Sequence, residues 1–325
     1  MHVHSPYGGT ITGRPAMFTD LTVASNVPSF PTGWEAPSNS QVSFTVPDNW
    51  KSGRIWGRRN CDFSTNPGPN SCLDGGCNGG LLCDPHTGTG VPPASVAEWT
   101  LQGDGNRDFY DGNLCSYFSL VHVPTATWSQ VSLVDGFNLP MAITNSANCP
   151  LADCPVDLGP NCPDPLKGPF DPTGFPVGCK SACAANLDGN PSNSANCCSG
   201  SFSTAQTCPS SGVAFYSYFK GSCPNSYAYA FDESSNTALW TCDSGLNADY
   251  TLTFCPVDAR EIKDPRMAVP RLLPLSRHPR AGALQVRLAC LVASHPWPRP
   301  TLTSLPRVCP FIPNRHQQLF CLRCG

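Results

Sequence analysis

The sequence predicts a mainly β fold with disulfide-rich loop subdomains, and three observations lead there. The 325 residues include 35 Pro, 28 Gly and 20 Cys, while only 13% are charged. Frequent turn formers and few charges favour many short strands over long charged helices. Alternating or β-branched runs such as Gln41-Val42-Ser43-Phe44-Thr45-Val46 read as half-buried strands, with turn clusters such as Asn66-Pro67-Gly68-Pro69-Asn70 between them. The stretch from 149 to 208 holds eight cysteines with little hydrophobic periodicity, which predicts a loop-rich subdomain held by bridges.

So many cysteines point to an oxidising, extracellular setting, because a reducing cytosol would keep them as thiols. Met1 to Tyr7 carries no basic start followed by an apolar run, so no signal peptide is visible in this chain. No window reaches the roughly 18 to 20 apolar residues of a membrane-spanning helix. Cys197 and Cys198 are adjacent and cannot easily bond each other. Each therefore seeks a partner elsewhere. A metal site is the rival, yet between residues 16 and 256 only His86 and His122 are available to assist, and paired zinc spacings are absent. No metal and no cofactor are expected.

Composition breaks after Phe254-Cys255-Pro256. Residues 1–256 hold nine Lys plus Arg against 20 acids, and residues 257–325 hold 11 against three. This basic, Pro-rich tail has three readings: an arm for acidic polymers, a disordered extension, or translation past the natural end of the gene. Disorder is the structural expectation. Cys321-Leu322-Arg323-Cys324 has zinc-like spacing without a second pair. The acidic body argues against nucleic acid as a partner.

A set of motifs then carries a resemblance. Gly53-Arg54-Ile55-Trp56-Gly57-Arg58 precedes Cys61, and Pro92-Pro93-Ala94-Ser95-Val96-Ala97-Glu98-Trp99 follows. Next come Val134-Asp135-Gly136-Phe137-Asn138-Leu139-Pro140-Met141, then Gly178-Cys179-Lys180-Ser181-Ala182-Cys183, then Phe219-Lys220 before Cys223-Pro224, and finally Thr253-Phe254-Cys255-Pro256. In order and spacing, residues 16–256 resemble the thaumatin-like proteins, the pathogenesis-related group 5 type. Ala16 to Leu21 and Thr32 to Pro37 are similar to fungal members.

The resemblance implies a flattened β-sandwich with disulfide-rich loop subdomains, one at about 149–210 and a smaller one around 223–250. It implies the pairs Cys61–Cys72, Cys77–Cys83, Cys149–Cys242, Cys154–Cys223, Cys162–Cys179, Cys183–Cys197 and Cys198–Cys208. Cys255 is left over, because the cysteine expected a few residues before Ala16 is missing, and residues 1–15 are read as an aberrant start. Cys72-Leu73-Asp74-Gly75-Gly76-Cys77 departs from the family, which usually has Thr and Asp before the second cysteine.

The family motif Asp-Phe-Tyr-Asp-Val-Ser-Leu-Val-Asp is interrupted. Asp108-Phe109-Tyr110-Asp111 is separated from Val131-Ser132-Leu133-Val134-Asp135 by nineteen residues, 112–130, which include Cys115. A retained intron or a genuine extra hairpin explains it.

By the same resemblance, an arginine and four acids line a cleft: Arg54, Glu98, Asp111, Asp135 and Asp232. Crowded carboxylates raise one another's pKa, so one stays protonated while another is ionised, as glycoside hydrolysis requires. Glu98 is the candidate general acid, and Asp111 or Asp135 the nucleophile or base. Tyr110 and Phe137 are candidate faces for sugar rings, with core packing as the alternative. The bland reading of the acids is a structural charge network. A serine triad lacks a suitable histidine, and neither a His-Glu-x-x-His helix nor a phosphate-cradling glycine loop is present. The expected function is extracellular β-1,3-glucan binding with weak endo-β-1,3-glucanase activity, by a monomer, in cell-wall remodelling or defence. A non-catalytic polymer binder or enzyme inhibitor is the alternative, as is an inactive gene-model product.

Overall fold

Runs rich in β-branched and aromatic residues, ended by turn formers, become strands. In the computed structural model, residues 13–37, 40–64, 67–110 and 131–256 are described, with the backbone of 283–288. The strands are β1 (Arg14–Thr19), β2 (Gln41–Thr45), β3 (Gly53–Arg58), β4 (Val96–Trp99), β5 (Arg107–Phe109), β6 (Val131–Ser132), β7 (Met141–Asn145), β8 (Ala152–Cys154), β9 (Thr241–Asp243), β10 (Tyr250–Phe254) and β11 (Ala283–Leu288). One α-helix, α1 (Tyr216–Ser222), precedes β9. A mainly β fold follows.

Two sheets make the scaffold, one ordered β1-β3-β4-β6 and one β2-β11-β10-β7-β8, with a separate β5-β9 pair. Strand alternation decides what lies between the sheets. On β10, Tyr250, Leu252 and Phe254 are buried while Thr251 and Thr253 are less so. These three join Ile55, Ala97 and Trp99 of the first sheet, with Met141 and Ile143, in one buried cluster. The two sheets therefore pack face to face over a shared apolar layer. On the first sheet's other face, Trp56 and Val96 pack with the Cys77–Cys83 loop in a second, smaller cluster.

Among the described residues, seven disulfides hold what the strands do not: Cys61–Cys72, Cys77–Cys83, Cys149–Cys242, Cys154–Cys223, Cys162–Cys179, Cys183–Cys197 and Cys198–Cys208. From 155 to 215 the chain forms turns and short 3-10 segments but no strand, so its order depends on such links. Each contributes about 2 to 4 kcal/mol, chiefly by shrinking the unfolded ensemble. Cys154 on β8 and Cys223 at the end of α1 tie this region to the sheet.

Two expectations are corrected. Cys255 is not left over: it is disulfide-bonded, to a cysteine outside the described residues. Nor is the tail disordered throughout, because β11 pairs with both β10 and β2. Ala283-Leu-Gln-Val-Arg-Leu288 alternates in strand fashion and satisfies two neighbouring edges at once. The chain divides into units Met1–Val292 and Ala293–Gly325, so the first unit runs well past residue 256. Residues 1–12 and 112–130, and the tail outside β11, lie outside the described residues. Among the described residues, no helix is long and apolar enough to cross a membrane.

Candidate active site

The site begins with the pairing of β3 and β4. Their antiparallel register sets Arg54 opposite Glu98 and Ile55 opposite Ala97. Because side chains alternate, Ile55, Ala97 and Trp99 enter the core while Arg54 and Glu98 leave by the other face. There the Arg54 Nε donates to Glu98 Oε1 in an ion pair that is largely shielded from water. Glu98 is only 5% exposed. Burial pushes its carboxyl up to about 7; Arg54 opposes that rise and Asp135 adds to it. A carboxyl poised near neutrality is suited to proton transfer.

Asp135 is set beside this pair by a turn that glycine permits. Gly136 has φ +95, and a Cβ there would meet the Cys179 carbonyl oxygen at 2.7 Å, so a side chain is excluded twice over. Two residues on, Asn138 ties the turn to the sheet. Its Nδ2 donates to Gly57 O and to Asp74 Oδ1, both at 2.9 Å, and its Oδ1 accepts from Ser95 N. Asp135 itself is half-buried.

Asp232 is held differently. It is fully buried, its Oδ1 accepts from the Tyr216 hydroxyl at 2.8 Å, and its Oδ2 accepts from Lys220 Nζ and Ala228 N, both at 3.0 Å. Burial lowers the Lys220 pKa and Asp232 opposes the fall. Tyr216 and Lys220 are four apart on α1 and so share a face. Asp232 reaches the Glu98 sheet indirectly: β6 pairs with β4, Leu133 N donates to Tyr227 O, and Tyr227 precedes the Ala228 that donates to Asp232. The structure thus brings Arg54, Glu98 and Asp135 together electrostatically, while Asp232 anchors α1. Asp111 lies outside the described residues.

The two rings proposed for sugar contact are corrected. Tyr110 is 0% exposed, packs on Tyr250 at 5.3 Å between ring centroids and donates its hydroxyl to Pro150 O. Phe137 is 1% exposed, and its backbone bonds reciprocally with Cys179. Neither ring offers a face to a ligand.

Two buried carboxylates elsewhere in the fold were not anticipated. Asp108 accepts from Ser244 Oγ at 2.7 Å and from the Tyr250 hydroxyl at 3.0 Å. Asp74 is fully buried, with Oδ2 lacking a hydrogen-bond partner among the described residues. Burial raises its carboxyl to about 7, against the opposing effects of Arg59 and Asn138. Its place in the departing Cys72 to Cys77 run was the one sequence signal available.

A family model described as the Thaumatin family matches residues 14–126 and 115–256. Pathogenesis-related protein 5 of Arabidopsis thaliana is 36% identical over 263 residues, 75% of this chain and 93% of the relative. Pathogenesis-related thaumatin-like protein 3.5 of Cryptomeria japonica is 39% identical over 224 residues, 68% of this chain and 76% of the relative. Thaumatin-like protein 1 of Pyrus pyrifolia is 37% identical over 228 residues, covering 69% and 80%. With its mainly β architecture and seven disulfides among the described residues, this chain belongs to the thaumatin family.

Proposed function

We propose that this protein acts outside the cell in defence or wall remodelling, binding β-1,3-glucan over the face that carries Arg54, Glu98 and Asp135 and cleaving it weakly. The observation that carries the reading is Glu98: a buried carboxyl, raised to about 7, beside a cation and a second acid. Such a group donates a proton to a leaving glycosidic oxygen near neutral pH. Asp135, on the same face, supplies the partner carboxylate as nucleophile or base. Asp111 belongs to the same proposal by its place in the interrupted motif. The disulfide content supports the extracellular setting, and the names of the Arabidopsis and Cryptomeria relatives support the defence role.

A non-catalytic reading draws support from a different observation. With Tyr110 and Phe137 buried, the rings that a sugar-cleaving cleft uses to seat its substrate are absent from those two positions. One experiment separates the readings. Wild-type protein and Glu98→Gln are incubated with laminarin, reducing ends are measured, and retention on insoluble β-1,3-glucan is assayed in parallel. The enzyme reading predicts release by the wild type, lowered at least ~100-fold in Glu98→Gln, with both proteins retained. Retention without any release leaves a binding protein. Loss of both removes the glucan proposal.

A further inference from the structure

A pocket of about 560 Å³ opens where the loop after Cys208 runs into α1. A cavity of that size accommodates a small ligand. Its walls carry three rings, Phe215, Tyr216 and Tyr218, and three serines, Ser210, Ser211 and Ser217. None of Arg54, Glu98 and Asp135 lines it.

Two of the rings are fixed at their far ends. The Tyr216 hydroxyl donates to Asp232 Oδ1 and the Tyr218 hydroxyl to Leu158 O, both at 2.8 Å. Tyr216 also packs edge-on against Tyr229, with centroids 5.4 Å apart, and Tyr218 against Phe219, at 5.2 Å. Rings held in this way are preorganised for a ligand. All three pocket rings are only half-buried, in contrast to Tyr110 and Phe137. Phe215 has φ +60 and ψ +13, in the left-handed region, which a bulky side chain rarely adopts. The preceding loop is tied down by Ala214 N, which donates to Asn196 Oδ1 at 2.9 Å, and by the Cys198–Cys208 bond. Backbone strain of this kind gathers at ligand sites.

The walls also select the kind of ligand. No charged side chain lines the pocket, and behind Tyr216 the Asp232 carboxylate is already matched by Lys220. An ionic ligand therefore finds no counter-charge. The hydroxyls of Ser210, Ser211 and Ser217 make no side-chain hydrogen bond among the described residues, and Ser211 and Ser217 are exposed. A purely apolar ligand would cover such hydroxyls without pairing them. A neutral sugar matches both features, with C–H groups for the ring faces and hydroxyls for the serines.

We propose that this pocket is a second saccharide-binding site, which takes a short stretch of neutral glycan; the identity of that glycan as β-1,3-glucan rests on the function proposed above. Two sites on one protein hold a polysaccharide more tightly than either does alone.

The test is a titration of the full-length protein with laminaritriose, followed by NMR at the rings of Tyr216 and Tyr218 and at the amides of Glu98 and Asp135. The expected result is a saturable shift at both tyrosine rings. Phe215→Asn removes the third ring while supplying a residue that tolerates the left-handed conformation, and it should weaken the tyrosine response ~10-fold. Still tyrosine rings with moving Glu98 and Asp135 signals overturn the second site and leave the Glu98 face standing. Moving tyrosine rings with still Glu98 and Asp135 signals support the second site and count against that face. An undiminished response in Phe215→Asn also overturns the proposal. Should that variant fail to fold, the wild-type titration alone decides.

Discussion

Arg54 and Glu98 stand directly opposite each other on β3 and β4, and the ion pair between them is the only charged link that the cross-strand register itself creates on that face among the described residues. Arg54 favours the ionised form of Glu98 and burial favours the neutral one. Replacing Arg54 with Met therefore pushes the Glu98 pKa above 7. Breaking a shielded pair is costly while the survivor stays charged, so we expect a loss of about 2 kcal/mol at pH 8. At pH 6, where Glu98 takes a proton, the loss shrinks. Urea unfolding at both pH values checks this, and an equal loss at both contradicts it.

Asp74 makes the fold pH-sensitive in a defined direction. Its carboxyl is raised from 3.8 to about 7 in the folded protein, so between those values the native state holds a proton that the unfolded chain releases. Stability is then greatest below about pH 4 for this group and falls as pH rises towards 7. Asp74→Asn keeps an acceptor for Asn138 and removes the titration. The variant should gain roughly 1 to 3 kcal/mol at pH 7.5 relative to pH 4.5, measured by denaturant unfolding. A pH profile parallel to that of the wild type contradicts the assignment.

Asp232 and Lys220 form a buried pair whose partners depend on each other. Asp232→Asn leaves the ammonium unmatched and should cost about 3 kcal/mol. Adding Lys220→Met should recover at least ~1 kcal/mol of that loss. Additive losses in the double-mutant cycle would place Asp232 outside a coupled pair.

Tyr110→Phe removes a hydroxyl that donates to Pro150 O at 2.7 Å. Stability should fall by about 1 kcal/mol, with retention on β-1,3-glucan unchanged. Weakened retention at unaltered stability would restore Tyr110 to the ligand face.

The fold class was legible because the cysteine order and the motif spacing survive in sequence whatever the loops between them do. Arg54 and Glu98 were named through the resemblance alone, since sequence spacing by itself favours a structural charge network for the acids. Tyr110 and Phe137 were less legible: closeness to an acid in sequence does not say where a ring points, and both rings are buried in the core. The partners of Asp232, Tyr216 and Lys220, lie on a helix upstream, where nothing in Tyr229 to Glu233 announces them. β11 was hidden by its surroundings. Six alternating residues carry little weight inside a segment with ten prolines, and only the pairing offered by β10 and β2 makes them a strand.

The central claim is that Glu98 is a proton donor held near neutrality in a glucan-binding face. Its carboxyl carbon can be followed directly by NMR across pH 4 to 9, assigned by its absence in Glu98→Gln, with and without a laminari-oligosaccharide. The account predicts a midpoint near 7 in the free protein and a displaced midpoint once the sugar is bound. A midpoint near 4.5 that the oligosaccharide leaves unmoved contradicts it.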